Sequence, residues 1–379
     1  MVFKTHDNTG KSEVYQDAKR YYWLIAYASS SITLVSIALY VYTLAYAVLF
    51  IPIIYFFVVI PALDALLGED PYNPPDDVLV QMAEDPYYSR LVRWLIPYAW
   101  VILFTSVWLI GTYELPLWLI VVFAFGKGLF AGGTINMAHE LGHKTNKTDQ
   151  WLAKLALATV GYGHFCIEHN RGHHIHVATP EDPASSRMGE SIYAFALREI
   201  PGAFARGWEN EKQRLQKKGL STFSLKNDIL QGYALTLIVF SICTAIFGWQ
   251  VLLFLVIQSV VGWYGLTQAN YVEHYGLLRQ KNENGKYERC QPRHSWNTNH
   301  IFSNLSTFHL QRHSDHHANP LRPYQTLRNF SDLPRLPSGY PGCFALAAIP
   351  SLWFKTMDPK VMEWAGGDIN KVNRGSMSC

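Results

Sequence analysis

Two stretches of this chain run for more than forty residues without a formal charge: 43 residues from Tyr21 to Leu63 and 44 from Ile229 to Val272. One helix of that length would reach roughly 65 Å, about twice the hydrocarbon thickness of a bilayer, so each stretch must fold back as two crossings. Gly248 marks the second fold-back, and residues 43–47 the first. Two more apolar runs, separated by Gly111, Glu114 and Pro116, lie between them. The pattern predicts an all-α integral membrane protein in one domain, 1–379. Its six crossings lie at about 21–42, 45–66, 94–112, 115–138, 229–247 and 250–272. Lys127 is a lone charge inside the fourth.

Six crossings return both termini to one side, and nearly every charge falls there: Lys4, Lys11, Lys19 and Arg20, then a basic loop from Lys144 to Lys226. Across the bilayer only Glu114 remains, so the charged side is expected to be cytoplasmic. The polar segments 139–228 and 273–379 then form a helical cytoplasmic domain. Within 190–219, Ile192, Phe195, Ile200, Phe204 and Trp208 recur near helical spacing. That spacing fits either a helix lying in the membrane interface or one packed on this domain. No signal peptide is expected from the four-basic-residue N-terminus.

Composition narrows the chemistry. With 16% charged residues and a net charge of +3, the chain has no nucleic-acid footprint. The five cysteines form no C-x-x-C pair, which argues against a disulfide framework or a thiolate-held metal. Histidine is the anomaly: 14 of 15 fall in the two large polar segments. Nine cluster, as His139 and His143; His169, His173 and His174; His274; and His313, His316 and His317. Residues three or four apart share a helix face, so His139 with His143, His169 with His173, and His313 with His317 can each grip one ion. A neighbour turned by roughly 100° reaches a second ion, and nine imidazoles exceed the four that one zinc takes. Two metals are expected, of a type that imidazole alone does not name. Glu140, Glu168, Glu273 and Asp315 each stand beside a clustered histidine and are expected to orient the ligating rings. His164, His176, His294, His300 and His309 lack paired spacing and read as structural.

His139-Glu140-Leu141-Gly142-His143 also matches the zinc-protease signature, but that reading leaves the other clusters idle. A metal transporter would need ligands near the midplane, whereas these sit at the ends of crossings. The spacings H-x3-H, H-x3-HH and H-x2-HH resemble the histidine boxes of the integral-membrane di-iron desaturases and hydroxylases. More closely, 139–144, 168–174, 270–276 and 310–317 resemble the bacterial membrane-bound alkane 1-monooxygenase family. The segment Asn270-Tyr271-Val272-Glu273-His274-Tyr275-Gly276 separates that family from acyl desaturases.

The resemblance implies a non-heme site of two iron ions, with His274 as the ninth ligand. It implies hydroxylation of the terminal methyl of medium-chain n-alkanes by O2, the first step of alkane degradation, at the bacterial inner membrane. Electrons would come from rubredoxin, reduced by an NAD(P)H-dependent rubredoxin reductase. An acidic carrier would dock near Lys144, Lys147, Arg171 and the basic 206–226 stretch. A narrow apolar tunnel is expected to select the terminal carbon, lined by Ile53, Phe56, Phe57, Leu129, Gly133 and Ile135. In the resembling family the position of Phe56 is associated with limiting substrate length.

Overall fold

The computed structural model describes residues 2–6 and 12–374. Among the described residues six helices are long and apolar enough to cross a bilayer: α1 (Tyr22–Thr43), α2 (Tyr46–Leu67), α3 (Pro86–Thr112), α4 (Leu117–Gly142), α8 (Asp228–Phe247) and α9 (Trp249–His274). Between the fourth and fifth crossings lie α5 (Lys147–Ala158), α6 (165–176) and the polar α7 (Ile192–Gln216). The outward faces of the crossings, with Val101, Phe104, Leu237, Ile242 and Ile246 exposed, suit a lipid surroundings. Exposed Tyr42, Tyr46, Trp118 and Trp249 mark one rim, and Tyr21, Trp94 and Trp151 the other. The chain is a multi-pass membrane protein.

Local sequence explains where these helices turn. Leu44 takes a left-handed φ of 54° between α1 and α2, and Gly248 a φ of 91° between α8 and α9. The third crossing extends beyond the expected 94–112. Asp85 caps it by accepting from the Tyr87 amide, and its first turns leave the apolar run. The expectation of an all-α chain misses a short antiparallel pair of strands, Val2–His6 with Ser12–Gln16. Their alternation spans too few residues to rise above the helical signal.

Helices α4 and α9 form the central pair. A Cβ on Gly128 of α4 would sit 2.6 Å from the Val261 side chain, and one on Gly262 of α9 would sit 3.0 Å from Ala131. Small residues on this seam let the two backbones close up, as between helices in lipid. His139 and His274 ride at the same end of that pair, one near the terminus of each helix. Helix α7 packs on the polar domain with Ile192, Phe195, Ala203 and Leu215 buried, against α6 and α9. Helices α10 (His313–Ala318), α11 (Tyr340–Ala347) and α12 (Pro350–Trp364) complete the cap over the bundle end.

Candidate metal centre

Four chain segments bring the nine clustered histidines together. His139, His143, His169, His174 and His316 form one group, and His173, His274, His313 and His317 a second. Within each group one nitrogen per ring lies within 4.8 Å of all the others. In the first, His139 Nε2 is 2.8 Å from His316 Nε2, and His174 Nε2 is 2.9 Å from His169 Nε2. In the second, His317 Nε2 stands 2.8 Å from His313 Nε2 and 3.2 Å from His173 Nε2. The groups adjoin, with the His174 and His317 ring centroids 4.6 Å apart.

Spacing along α4 and α10 divides the rings as expected: His139 with His143, His313 with His317, and His316 turned to the other group. The expected pairing of His169 with His173 is corrected. Residues His169–His173 form a π-helical turn, which brings the residue five positions on, His174, over His169. His173 is thereby carried into the second group. Gly172 in this turn leaves room for the Arg206 guanidinium, since a Cβ there would lie 2.4 Å from Arg206 Nε.

The rings suit cations better than one another. Burial, and then neighbouring imidazoles, hold His143, His169, His174, His313, His316 and His317 well below the ordinary imidazole range, so they carry lone pairs rather than charge. His143 Nε2 and both nitrogens of His274 are buried without a hydrogen-bond partner. Uncharged rings with inward-facing nitrogens 2.8–3.2 Å apart are what a cation with metal–nitrogen bonds of about 2.0–2.1 Å gathers. The donor set is all imidazole; the described cysteines lie elsewhere.

The four acids expected to orient the rings do not share that role. Glu273 approaches a ring, but on the nitrogen that faces the other imidazoles: its Oε2 lies 3.1 Å from His313 Nε2, the atom 2.8 Å from His317 Nε2, and its Oε1 accepts from the Tyr340 hydroxyl at 2.5 Å. Glu140 instead pairs with Lys144 one turn on, at 2.9 Å. Glu168 is taken by Arg206, and Asp315 by Arg322 at 2.6 Å, with the Arg328 amide. In each case a guanidinium or ammonium nearby satisfies the carboxylate, leaving no geometry toward imidazole.

Sequence reasoning missed Asp182. Its Oδ2 accepts from His173 Nδ1 at 2.9 Å and from Ser185 Oγ at 2.7 Å, while Oδ1 accepts from Arg206 Nη2 at 2.7 Å. Burial works against the charge of Asp182, but His173 and Arg206 outweigh it and hold this carboxyl well below its usual range. Burial likewise pulls His173 down, and Asp182 reverses this, raising it above the ordinary value. Nine residues separate Asp182 from His173, across a loop whose return no periodicity reveals.

A cavity of about 120 Å³ opens from the histidines into the bundle, touching His139, His169 and His313. Of the six expected tunnel residues, Phe56, Leu129 and Gly133 line it. Ile53, Phe57 and Ile135 lie outside that lining. Ile53 packs toward Gly126, Phe57 lies edge-on to Phe56, and Ile135 points into the core around Ala131 and Leu95. Phe130, Leu310 and Phe344 are further apolar wall residues. Another cavity, about 720 Å³, is on the loop side among Glu288, Arg293 and Trp364, and none of the nine histidines lines it.

Comparison with known proteins fits this geometry. Residues 116–346 match the fatty acid desaturase family. The chain is 50% identical to the alkane 1-monooxygenase of Ectopseudomonas oleovorans over 98% of this chain and 92% of that protein. It is also 50% identical to alkane 1-monooxygenase 1 of Alcanivorax borkumensis, covering 95% of this chain and 89% of the other. The Pseudomonas putida alkane 1-monooxygenase is 48% identical, over 96% and 92% of the two chains.

Proposed function

Because the chain belongs to the alkane 1-monooxygenase family, we propose that it hydroxylates the terminal methyl of medium-chain n-alkanes with two non-heme irons, O2 and electrons from reduced rubredoxin. The observation that carries this reading is the pair of five- and four-imidazole groups at the inner end of an apolar cavity. A five-imidazole group exceeds the tetrahedral set of a structural zinc, and imidazole suits iron. The balance is R–CH3 + O2 + 2e⁻ + 2H⁺ → R–CH2OH + H2O.

A methyl group offers no acid, base or polar handle, so neither a nucleophile nor a general base can break its C–H bond. Bound iron, supplied with O2 and electrons, provides the oxidant this step requires. His139, His143, His169, His174 and His316 would hold one ion, and His173, His274, His313 and His317 the other. Asp182 keeps the His173 proton on Nδ1, leaving Nε2 free to bind. Phe56, Leu129 and Gly133 guide an unbranched chain end-on, so that its methyl rather than a weaker methylene C–H meets the metals. Alkanes partition into lipid and reach this cavity through the bundle. The chain acts as a single domain, 1–379.

The site and both termini are proposed to face the cytoplasm at the inner membrane, supported by the Lys and Arg bias. Rubredoxin, reduced by an NAD(P)H-dependent reductase, would dock there. Arg171, Lys147, Lys217, Lys218 and Lys226 are exposed and suit an acidic carrier. Arg206 and Arg214, expected among them, are instead tied to Glu168 and Glu211. The test is reconstitution with rubredoxin, its reductase, NAD(P)H, octane and ¹⁸O-labelled dioxygen. Labelled 1-octanol is expected; an alkene, or no oxygen incorporation, would overturn the reading.

A further inference from the structure

The first half of α7 is turned inside out for a helix on a polar domain. From Ile192 to Trp208 its exposed residues are Tyr193, Ala194, Leu197, Pro201, Phe204 and Ala205, recurring every three to four positions along one face. Leu197 is 81% exposed. The three charges of this stretch turn the other way. Arg198 pairs with Glu190 at 2.7 Å, Glu199 accepts from Thr267 and Asn270 of α9, and Arg206 is held by Glu168 and Asp182. A helix at a water-facing surface shows the opposite arrangement, with its charges outward. Beyond Trp208 that ordinary pattern returns: Glu209, Gln213, Gln216, Lys217 and Lys218 are the exposed residues.

The apolar face is about 22 Å long and runs between surfaces that meet lipid. At one end the Phe204 ring lies 6.2 Å from that of Tyr233 on the α8 crossing. At the other the Tyr193 hydroxyl donates to the Ala348 carbonyl, beside exposed Ile349 and Leu352. The loop from α7 into α8 exposes Phe223 and Leu225 as well, and the Phe223 ring lies 6.0 Å from Trp208. Depth agrees with this. Thr267 and Asn270, the partners of Glu199, stand seven and four residues before His274 at the end of α9, so α7 sits about 6–10 Å inside that end. An interfacial helix buries its apolar face by roughly 5–10 Å.

We infer that this face binds the acyl chains of the leaflet on the metal-centre side, and that α7, lying in the plane of that leaflet, braces the metal centre against it. The helix therefore packs on the polar domain by one face and on lipid by the other. Its inner face is closely fitted, since a Cβ on Gly207 would lie 3.1 Å from the Glu168 side chain. Lipid seats α7, α7 seats Arg206, and Arg206 holds Asp182, which accepts from His173 Nδ1. Arg206 is thus a positioning residue, acting on a ligating ring through Asp182. With no charge exposed on the face, it recognises hydrocarbon, and zwitterionic and anionic bilayers serve alike.

The test uses the full chain in nanodiscs of phosphatidylcholine, with and without phosphatidylglycerol. A benzophenone amino acid replaces Leu197, Phe204 or Phe223, or Gln213 or Gln216 as controls, one at a time. After illumination, mass spectrometry should find phospholipid adducts at the first three positions at least fivefold above the controls, equally in both bilayers. Crosslinks to a second polypeptide, adducts with the anionic lipid alone, or labelling no higher than at the controls overturns the inference. The brace is read on bound metal, without turnover, and so stands or falls apart from the alkane reading. Leu197→Asp with Phe204→Asp should cut the Fe(II) that survives a chelator wash at least threefold, whereas Gln213→Asp with Gln216→Asp should leave it unchanged. Equal retention by both double variants overturns the brace. If the first does not fold, Leu197→Gln, a single change at an exposed position, makes the same comparison against Gln213→Asp.

Discussion

Replacing Asp182 by Asn isolates what a buried carboxylate does for a ligating histidine. The side chain keeps its size, but an amide N–H takes the place of one oxygen. If it stands where Oδ2 does, it faces two donors, His173 Nδ1 and Ser185 Oγ. His173 can then be accommodated only by moving its proton to Nε2, the nitrogen 3.2 Å from His317 Nε2 and needed for the metal. Losing such a partner typically weakens metal binding 10–100-fold, about 1.4–2.7 kcal/mol. The same change strips Arg206 of one of its two carboxylates, and breaking a buried ion pair destabilises the fold by about 3–5 kcal/mol. Glu168→Gln removes the other Arg206 partner without touching His173, and so controls for the loss of stability. Iron retained after dialysis against a graded chelator series, with thermal midpoints in parallel, reads both effects. Asp182→Asn should shed metal from the four-histidine group, whereas Glu168→Gln should lose midpoint but keep metal. Equal metal retention by Asp182→Asn and the unmodified protein would refute the reasoning, as would equal metal loss by both variants.

Other expectations follow from the cavity and from a second buried acid. Phe56 packs against Phe130 at 5.9 Å and stacks near Phe344 at 6.4 Å, so Phe56→Ala enlarges the cavity. It should raise turnover of longer alkanes several-fold relative to octane, and an unchanged chain-length profile would contradict that placement. A Cβ on Gly133 meets nothing within 4 Å, so Gly133→Leu should fit and fill the cavity, shifting preference to shorter chains. Product yields across a homologous alkane series measure it. Glu199 accepts from Thr267 and Asn270, and burial pushes its carboxyl up to about 7. A raised folded value means the folded state holds the proton more tightly. Its contribution therefore falls as pH climbs from about 4.5 to 7 and stays lost above, by up to about 3 kcal/mol. Thermal midpoints of Glu199→Gln should lack that part of the slope; parallel pH profiles would count against it. Glu140→Gln breaks only the partly exposed bridge to Lys144, about 1 kcal/mol or less, and should leave metal content intact on elemental analysis.

The crossings were legible because lipid forbids charge over a fixed length, so the charge-free runs from Tyr21 and Ile229 state their own folding. The nine histidines were legible for a related reason: helical spacing is local, and His139 with His143 or His313 with His317 needs only four residues of regular backbone. Where the backbone departs from α geometry the inference failed, as at His169, whose partner is His174 because the turn is π-helical. The acids failed differently. Adjacency to a histidine said nothing of the cations that claim Glu140, Glu168 and Asp315, for Arg206 and Arg322 reach them only in the folded chain. Asp182 had no local mark at all. Ile135 shows the limit of choosing tunnel residues by helix alone, since two positions from Gly133 the helix already faces the core.

X-ray absorption spectroscopy on the purified, metal-loaded protein, with metal counted per chain, tests the central claim most directly. The account predicts two irons per chain, each surrounded by nitrogen at imidazole distances, with outer-ring scattering from about five and four histidines. A single zinc, or sulfur among the nearest neighbours, would contradict it.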